Sequence, residues 1–455
     1  MEPPAVEREV GMEVYLTSSP GVGGKLRFYP EDFVVEELSL PPPRVEGGRY
    51  VAARVRCRNW ETNRLVRELS RAMGISRKRI QFAGTKDKRG VKVQLLSFLA
   101  SEEQVAAISL GDFEVLEKYP TDRPLELGHL IGNRFEIRLR GAADGGQPAA
   151  RSTPSAERPL TGQPEAAEVR PDLGAAIEAV TRELDAAGGF PNFFGIQRFG
   201  ALRPVTHKIG ERLVRGDIEG AVMAYVGGPN QFEEPVVQEA RARIERERDF
   251  AAAVNYFPTH LSFERTLLHH IQLHPGDWPG AMRQLPLNLL MMFVHAYQSC
   301  LFNRILSRRI KAGLPLNEPV EGDVVLPADA LGRPDHDHGI NVESHNLSRV
   351  RQKVLGRKAF VSGVLFGGET VFARGPMGEL ERAVVAEARV DARDFLVPEL
   401  PEVSSKGTRR ELLIMPGDRQ IVKEEDAMMF CFSLPRGCYA TALLREYMKG
   451  ETLDY

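Results

Sequence analysis

The chain has 455 residues, more than one hydrophobic core usually organises, so two or more domains are expected. Its 60 basic and 62 acidic residues nearly cancel, and 42% hydrophobic with 27% charged residues is an ordinary globular balance. An apolar run of about 18 residues, a secretory start and a Cys-x-x-Cys pair among Cys57, Cys300, Cys431 and Cys438 are all missing, so no membrane span and a reduced, cytoplasmic setting are expected.

Residues 25–38 are strand-like, with Phe33 and Val35 alternating with polar neighbours. A helix is predicted over 62–73, with Thr62 as N-cap, Leu65, Leu69 and Met73 on one face, and Gly74 as its stop. Ile80-Gln81-Phe82-Ala83 reads as a strand, 84–90 as a loop and 91–99 as a returning strand. Asp87 therefore sits on a loop that a rigid scaffold could present. Around it cluster Arg77, Lys78, Arg79, Lys86, Lys88, Arg89 and Lys92. Such a patch attracts phosphates, and it reads equally well as a solvated basic surface.

Residues 134–140 alternate strictly, with Phe135, Ile137 and Leu139 on one face and charges on the other. That predicts a half-buried strand. Residues 141–171 are rich in Gly, Ala, Pro, Ser and Thr and are expected to be a flexible insertion. A helix is predicted over 173–187. Residues 189–200 then interleave Phe190, Phe193, Phe194 and Phe199 with Gly and Arg198, as a packed junction or as an RNA-stacking surface. From 204 to 396 the chain is mostly helical, most clearly over 239–250 and 287–310, with a loop-and-strand region over 322–373. Residues 412–455 read as strand, a turn at Leu434-Pro435-Arg436-Gly437, and a helix through Leu443 and Tyr447.

No phosphate-binding fingerprint is present, so nucleotide hydrolysis and nicotinamide chemistry have no support. His336, His338 and His345, and the pair His270 and His274, match no metal-ligand pattern. Asp87 among cations would stay ionised, and an ionised carboxylate can attack a sugar C1′. A charged hairpin turn explains the same residues, as core packing explains Phe135.

Taken together, several segments resemble the TruD family of tRNA pseudouridine synthases, in the family's order. They are Leu26-Arg27-Phe28-Tyr29-Pro30-Glu31-Asp32-Phe33-Val34-Val35-Glu36, then Phe82-Ala83-Gly84-Thr85-Lys86-Asp87-Lys88-Arg89, then Gly132-Asn133-Arg134-Phe135. Asn192-Phe193-Phe194-Gly195-Ile196-Gln197-Arg198-Phe199-Gly200 and Leu434-Pro435-Arg436-Gly437-Cys438-Tyr439-Ala440-Thr441 follow. Where the family often has Ala-Val-Thr after the catalytic loop, this chain has Gly90-Val91-Lys92.

The resemblance implies an α+β fold: a mixed-sheet pseudouridine synthase domain built from both chain ends and interrupted by a TRUD insertion domain. The expected boundaries are 1–203, with 141–171 as its flexible insertion, 204–395 for the insertion domain and 396–455 for the returning catalytic part. It implies Asp87 as catalytic carboxylate, Arg27 as its basic partner and Phe135 as the aromatic against the uracil. Asn133 would lie near the base. Lys86, Lys88, Arg89, Gln197, Arg198 and Phe199 are expected to bind substrate, with Arg409 and Arg410 also meeting phosphates. The implied reaction isomerises a uridine, at position 13 of the D arm, without metal or cofactor. The partner would be tRNA, with no membrane and no nucleotide cofactor, and the chain a monomer. A non-catalytic tRNA-binding protein is the alternative.

Overall fold

The computed structural model describes residues 1–86, 89–142, 173–451 and 454. Asp87, Lys88 and nearly all of the low-complexity stretch lie outside the described residues. The chain forms two compact units, one of residues 1–18 and 186–414, the other of residues 19–185 and 415–455.

The second unit is built on an eight-stranded mixed sheet. Its strands are β1 (Phe33–Ser39), β2 (Tyr50–Arg58), β3 (Ile80–Phe82), β4 (Val91–Phe98), β5 (Phe113–Thr121) and β6 (Leu130–Arg140), then β7 (Gly417–Lys423) and β8 (Ala427–Pro435). Their order is β7-β8-β6-β1-β4-β2-β5, with β3 beside β4. The β1–β4 pair is parallel and the others are antiparallel. Both chain ends thus build one sheet, as the resemblance implied.

Alternation decides what each strand buries. On the inner face Phe432, Phe135, Val35, Lys92 and Cys57 form one row through successive pairings. On the outer face Arg134 lies opposite Glu36, and Glu36 pairs with Arg54. The predicted half-buried strand is observed, and it extends back to Leu130. The Thr62–Ala72 helix packs Leu65, Val66 and Leu69 onto the β2 and β4 end of the inner face. Its cap differs from expectation. Glu61 accepts from the Asn63 and Arg64 amides, and the Thr62 hydroxyl turns to another task described below.

The first unit is mostly helical, around the Leu287–Lys311 helix. The Thr206–Val214 helix crosses it so closely that a Cβ on Gly210 would lie 2.0 Å from the Phe293 carbonyl oxygen. A four-stranded sheet runs in the order Thr408–Glu411, Ala359–Leu365, Val324–Pro327, Ile340–Asn341. Leu347–Leu355 is a helix inside the region read as loop and strand. Arg309 and Asp323 form a fully buried ion pair at 2.6 Å.

The compact units divide at 18/19, 185/186 and 414/415, beside the domain boundaries of 203/204 and 395/396 expected with the family resemblance. Pairing explains the difference. Phe190–Pro191 forms a two-stranded ladder with Leu413–Ile414, so both flanks fold with the helical unit. The N-terminus joins them, since Asn303 Nδ2 donates to the Val10 carbonyl at 3.1 Å and Ser307 Oγ to the Gly11 carbonyl at 2.7 Å. Such long-range pairings leave no compositional mark.

Candidate active site

The segment carrying Asp87 leaves the short strand β3 and returns as β4. Its described residues are pinned on both sides of 87–88. Before them, the Lys86 amide donates to Thr62 Oγ1 at 2.8 Å, and the Lys86 carbonyl accepts from the Thr62 amide at 3.4 Å. Lys86 Nζ pairs with Glu37 Oε2 at 2.8 Å. After them, Arg89 Nη2 donates to the Arg27 carbonyl at 2.6 Å. The Gly90 amide donates to Asn59 Oδ1 at 3.2 Å, and its carbonyl accepts from the Asn59 amide at 2.9 Å. Gly90 has φ +122°, and a Cβ there would lie 2.6 Å from the Phe33 carbonyl oxygen, so this position needs glycine.

Arg27 is itself in the left-handed region, with φ 54°. Its guanidinium carbon stands 4.0 Å from the centre of the Phe33 ring. Phe33 meets Phe135 edge-on at 6.3 Å, and Phe135 stacks on Phe432 at 5.4 Å. Phe135 is 7% exposed, so most of its surface is spent on packing. Asn133 lies two residues earlier on the same face, opposite Glu37. Its Oδ1 is buried and accepts no hydrogen bond from the described residues, and the same holds for Gln94 Oε1 on β4. Two buried acceptors without donors suit a ligand that brings N–H groups.

The structure therefore links Arg27 to Arg89 and, through Phe33, to Phe135, and places Lys86 on Glu37, which lies opposite Asn133. Lys86 has a different place from the one expected. Its side chain is 8% exposed and donates inward to Glu37, so it is not presented to backbone phosphates. Lys92 is likewise buried, with Nζ donating to the Trp60 carbonyl at 2.9 Å. Among the described residues of this cluster, Arg77, Lys78 and Arg89 are exposed, and Arg79 is partly buried.

The Phe-rich segment lies in the other unit and is mostly core. Phe193 and Phe199 are fully buried, and Phe199 meets the His207 ring edge-on at 5.5 Å. A fully buried ring has no face for a base, which corrects the expectation for Phe199. Gln197 and Arg198 are partly exposed. Arg198 lines a hollow with Phe194, His295, Gln298, Ser405 and Lys406. Arg409 and Arg410 also serve structure. Arg409 pairs with buried Glu381 at 2.6 Å, and Arg410 donates to Asn192 Oδ1 at 2.6 Å with its guanidinium 4.1 Å from the Phe194 ring centre.

Among the described residues no group of three or more His, Cys, Asp or Glu side chains is placed to hold a metal ion. His338 contacts Asp335 at 2.8 Å, and His270 contacts Asp277 at 2.8 Å. No helix among the described residues is long and apolar enough to cross a membrane.

Sequence reading missed Glu37, Gln94, Thr62 and Asn59. Glu37 carried a signal: it follows Phe33 and Val35 at a spacing of two, so the strand pattern alone puts it on the buried face. An inward carboxylate in a strand needs a partner.

The family profile described as tRNA pseudouridine synthase D (TruD) matches residues 9–161 and 165–447. A protein of Methanococcoides burtonii named "Probable tRNA pseudouridine synthase D" is 40% identical over 99% of this chain and 98% of its own length. One of the same name from Thermococcus sibiricus is 35% identical over 96% of this chain and 97% of its own. The crystal structure of a TruD protein from Methanosarcina mazei superposes with a TM-score of 0.81 at 37% identity, covering all of both chains. An α+β fold with a mixed sheet is the architecture of that class of RNA-modifying isomerase. The chain belongs to the TruD family of tRNA pseudouridine synthases.

Proposed function

We propose that the protein isomerises a uridine of tRNA, at position 13 of the D arm, to pseudouridine, with Asp87 as the catalytic carboxylate. The observation that supports this reading is that Arg27, Asn133 and Phe135, from two separate segments, are tied directly or through Phe33 and Glu37 to Arg89 and Lys86, which flank Asp87 and Lys88 in sequence.

The reaction breaks the N1–C1′ bond, turns the uracil and rejoins it through C5. It is redox-neutral and takes no second substrate, so the chain's own side chains are asked to do the work. The target base must first leave its stack. Asn133 Oδ1 is an acceptor suited to the uracil N3–H. Phe135 would use the face not occupied by Phe432 to hold the ring. Arg27 would pair with Asp87, favouring the ionised carboxylate and aiming it. Asp87 then acts at C1′ or takes part in proton removal at C2′. Arg89 and the Arg77-Lys78-Arg79 run would meet phosphates. We read the protein as a cytoplasmic monomer.

The test is product formation by the purified protein on an unmodified tRNA transcript, mapped to the nucleotide. Pseudouridine at position 13 supports the reading. Tight binding with no pseudouridine would make the protein a tRNA-binding module instead.

A further inference from the structure

Strand β1 sends its two adjacent glutamates to opposite faces. Glu36 lies outward, 34% exposed and paired with Arg54. Glu37 lies inward with its side chain 1% exposed. A carboxylate so far from water is costly unless it is paired. Its partner, Lys86, is 8% exposed, and among the described residues its Nζ donates to Glu37 alone. Asn133 lies opposite Glu37 on β6, yet its buried Oδ1 takes no part in that contact.

Lys86 is thus held at three points. Glu37 takes its ammonium, and Thr62 takes its amide and its carbonyl. The next residue in the sequence is Asp87. We propose that Glu37 is a positioning residue for Asp87: its buried ion pair with Lys86 fixes the peptide from which the catalytic carboxylate projects. This rests on the reading of Asp87 given above. It also gives Lys86 its task, which is to anchor the loop from inside rather than to grip RNA.

The experiment compares full-length wild type with Glu37→Gln, Glu37→Asp, Glu36→Gln and Asp87→Asn on an unmodified tRNA transcript. Misplacing a reacting group by about 1 Å can cost about a hundredfold in rate. Glu37→Gln keeps the side chain's size and removes its charge. It is expected to lower kcat by about tenfold or more, with KM for tRNA within about twofold of wild type. Glu37→Asp keeps the charge and recovers part of that loss. Glu36→Gln, on the opposite face of the same strand, stays within about twofold of wild type. Wild-type kcat in Glu37→Gln, or a loss confined to KM, overturns the proposal. If Glu37→Gln does not fold, Lys86→Met removes the other half of the contact, and there a lowered kcat supports the proposal and a wild-type kcat overturns it. Pseudouridine made by Asp87→Asn would sink the reading of Asp87 itself. An inactive Asp87→Asn beside a fully active Glu37→Gln would sink the positioning role alone.

Discussion

The guanidinium carbon of Arg27 stands 4.0 Å over the ring of Phe33, and that ring meets Phe135 edge-on at 6.3 Å. Two residues 108 positions apart are thereby tied through a third that neither touches in sequence. The backbone of Arg27 is locked as well. The amide of Leu26 donates to the Asp454 carbonyl at 2.7 Å, and the Arg27 carbonyl accepts from Arg89. A cation on an aromatic face gains about 0.5–2 kcal/mol and a fixed direction.

Arg27→Ala should therefore lower turnover far more than binding, by about tenfold or more in kcat. Lys78→Ala, on the exposed run before β3, should instead weaken tRNA binding and flatten its salt dependence by about one unit of slope. Steady-state kinetics and a salt titration on both variants check this. Equal losses of kcat at the two positions would remove any special role from Arg27.

Gly90→Ala tests the other end of the loop. The left-handed φ of +122° and the 2.6 Å approach to the Phe33 carbonyl leave no room for a methyl group without moving β1 or the loop. A fall in kcat of about tenfold with a melting temperature lowered by a few degrees is expected. A variant with wild-type kcat would mean that the loop geometry does not matter to the chemistry.

Much of this sheet was legible because alternation and helical spacing are local. Phe135, Ile137 and Leu139 face inward as their spacing predicts, and the Thr62–Ala72 helix lies where its apolar stripe put it. What stayed hidden depends on distant pairing. Lys86 looked like one more surface cation, and only the register of β1 shows a buried carboxylate waiting for it. Phe199 looked like a stacking residue, yet it fills the core of the helical unit. Arg409 and Arg410 read as a phosphate-binding pair, and their partners Glu381 and Asn192 lie 28 and 218 residues away in sequence. The limits of the compact units depend on distant pairing too, because a two-residue ladder between Phe190–Pro191 and Leu413–Ile414 cannot be seen in composition.

The helical unit carries a pH-sensitive element of stability. Burial holds the His207 imidazole down to about 4, from an ordinary value of 6.5. A histidine kept neutral in the fold contributes stability above pH 6.5 that is lost as pH falls toward 4, since the unfolded chain takes up a proton that the fold refuses. The expected slope across that window is about 1.4 kcal/mol per pH unit from this one group. Thermal melts between pH 7.5 and pH 5 should show the loss for wild type and a shallower one for His207→Gln. Identical pH dependence in the two proteins would show that His207 is not the titrating group.

The proposed role of Asp87 in the chemistry can be tested at the residue itself. Its most direct measurement is single-turnover pseudouridine formation by Asp87→Asn on unmodified tRNA, with binding of the same tRNA followed in parallel. No detectable pseudouridine is expected, with a dissociation constant within about threefold of wild type, because Asp87 acts at the ribose of the flipped nucleotide and not on the phosphates. Substantial pseudouridine from Asp87→Asn would contradict it.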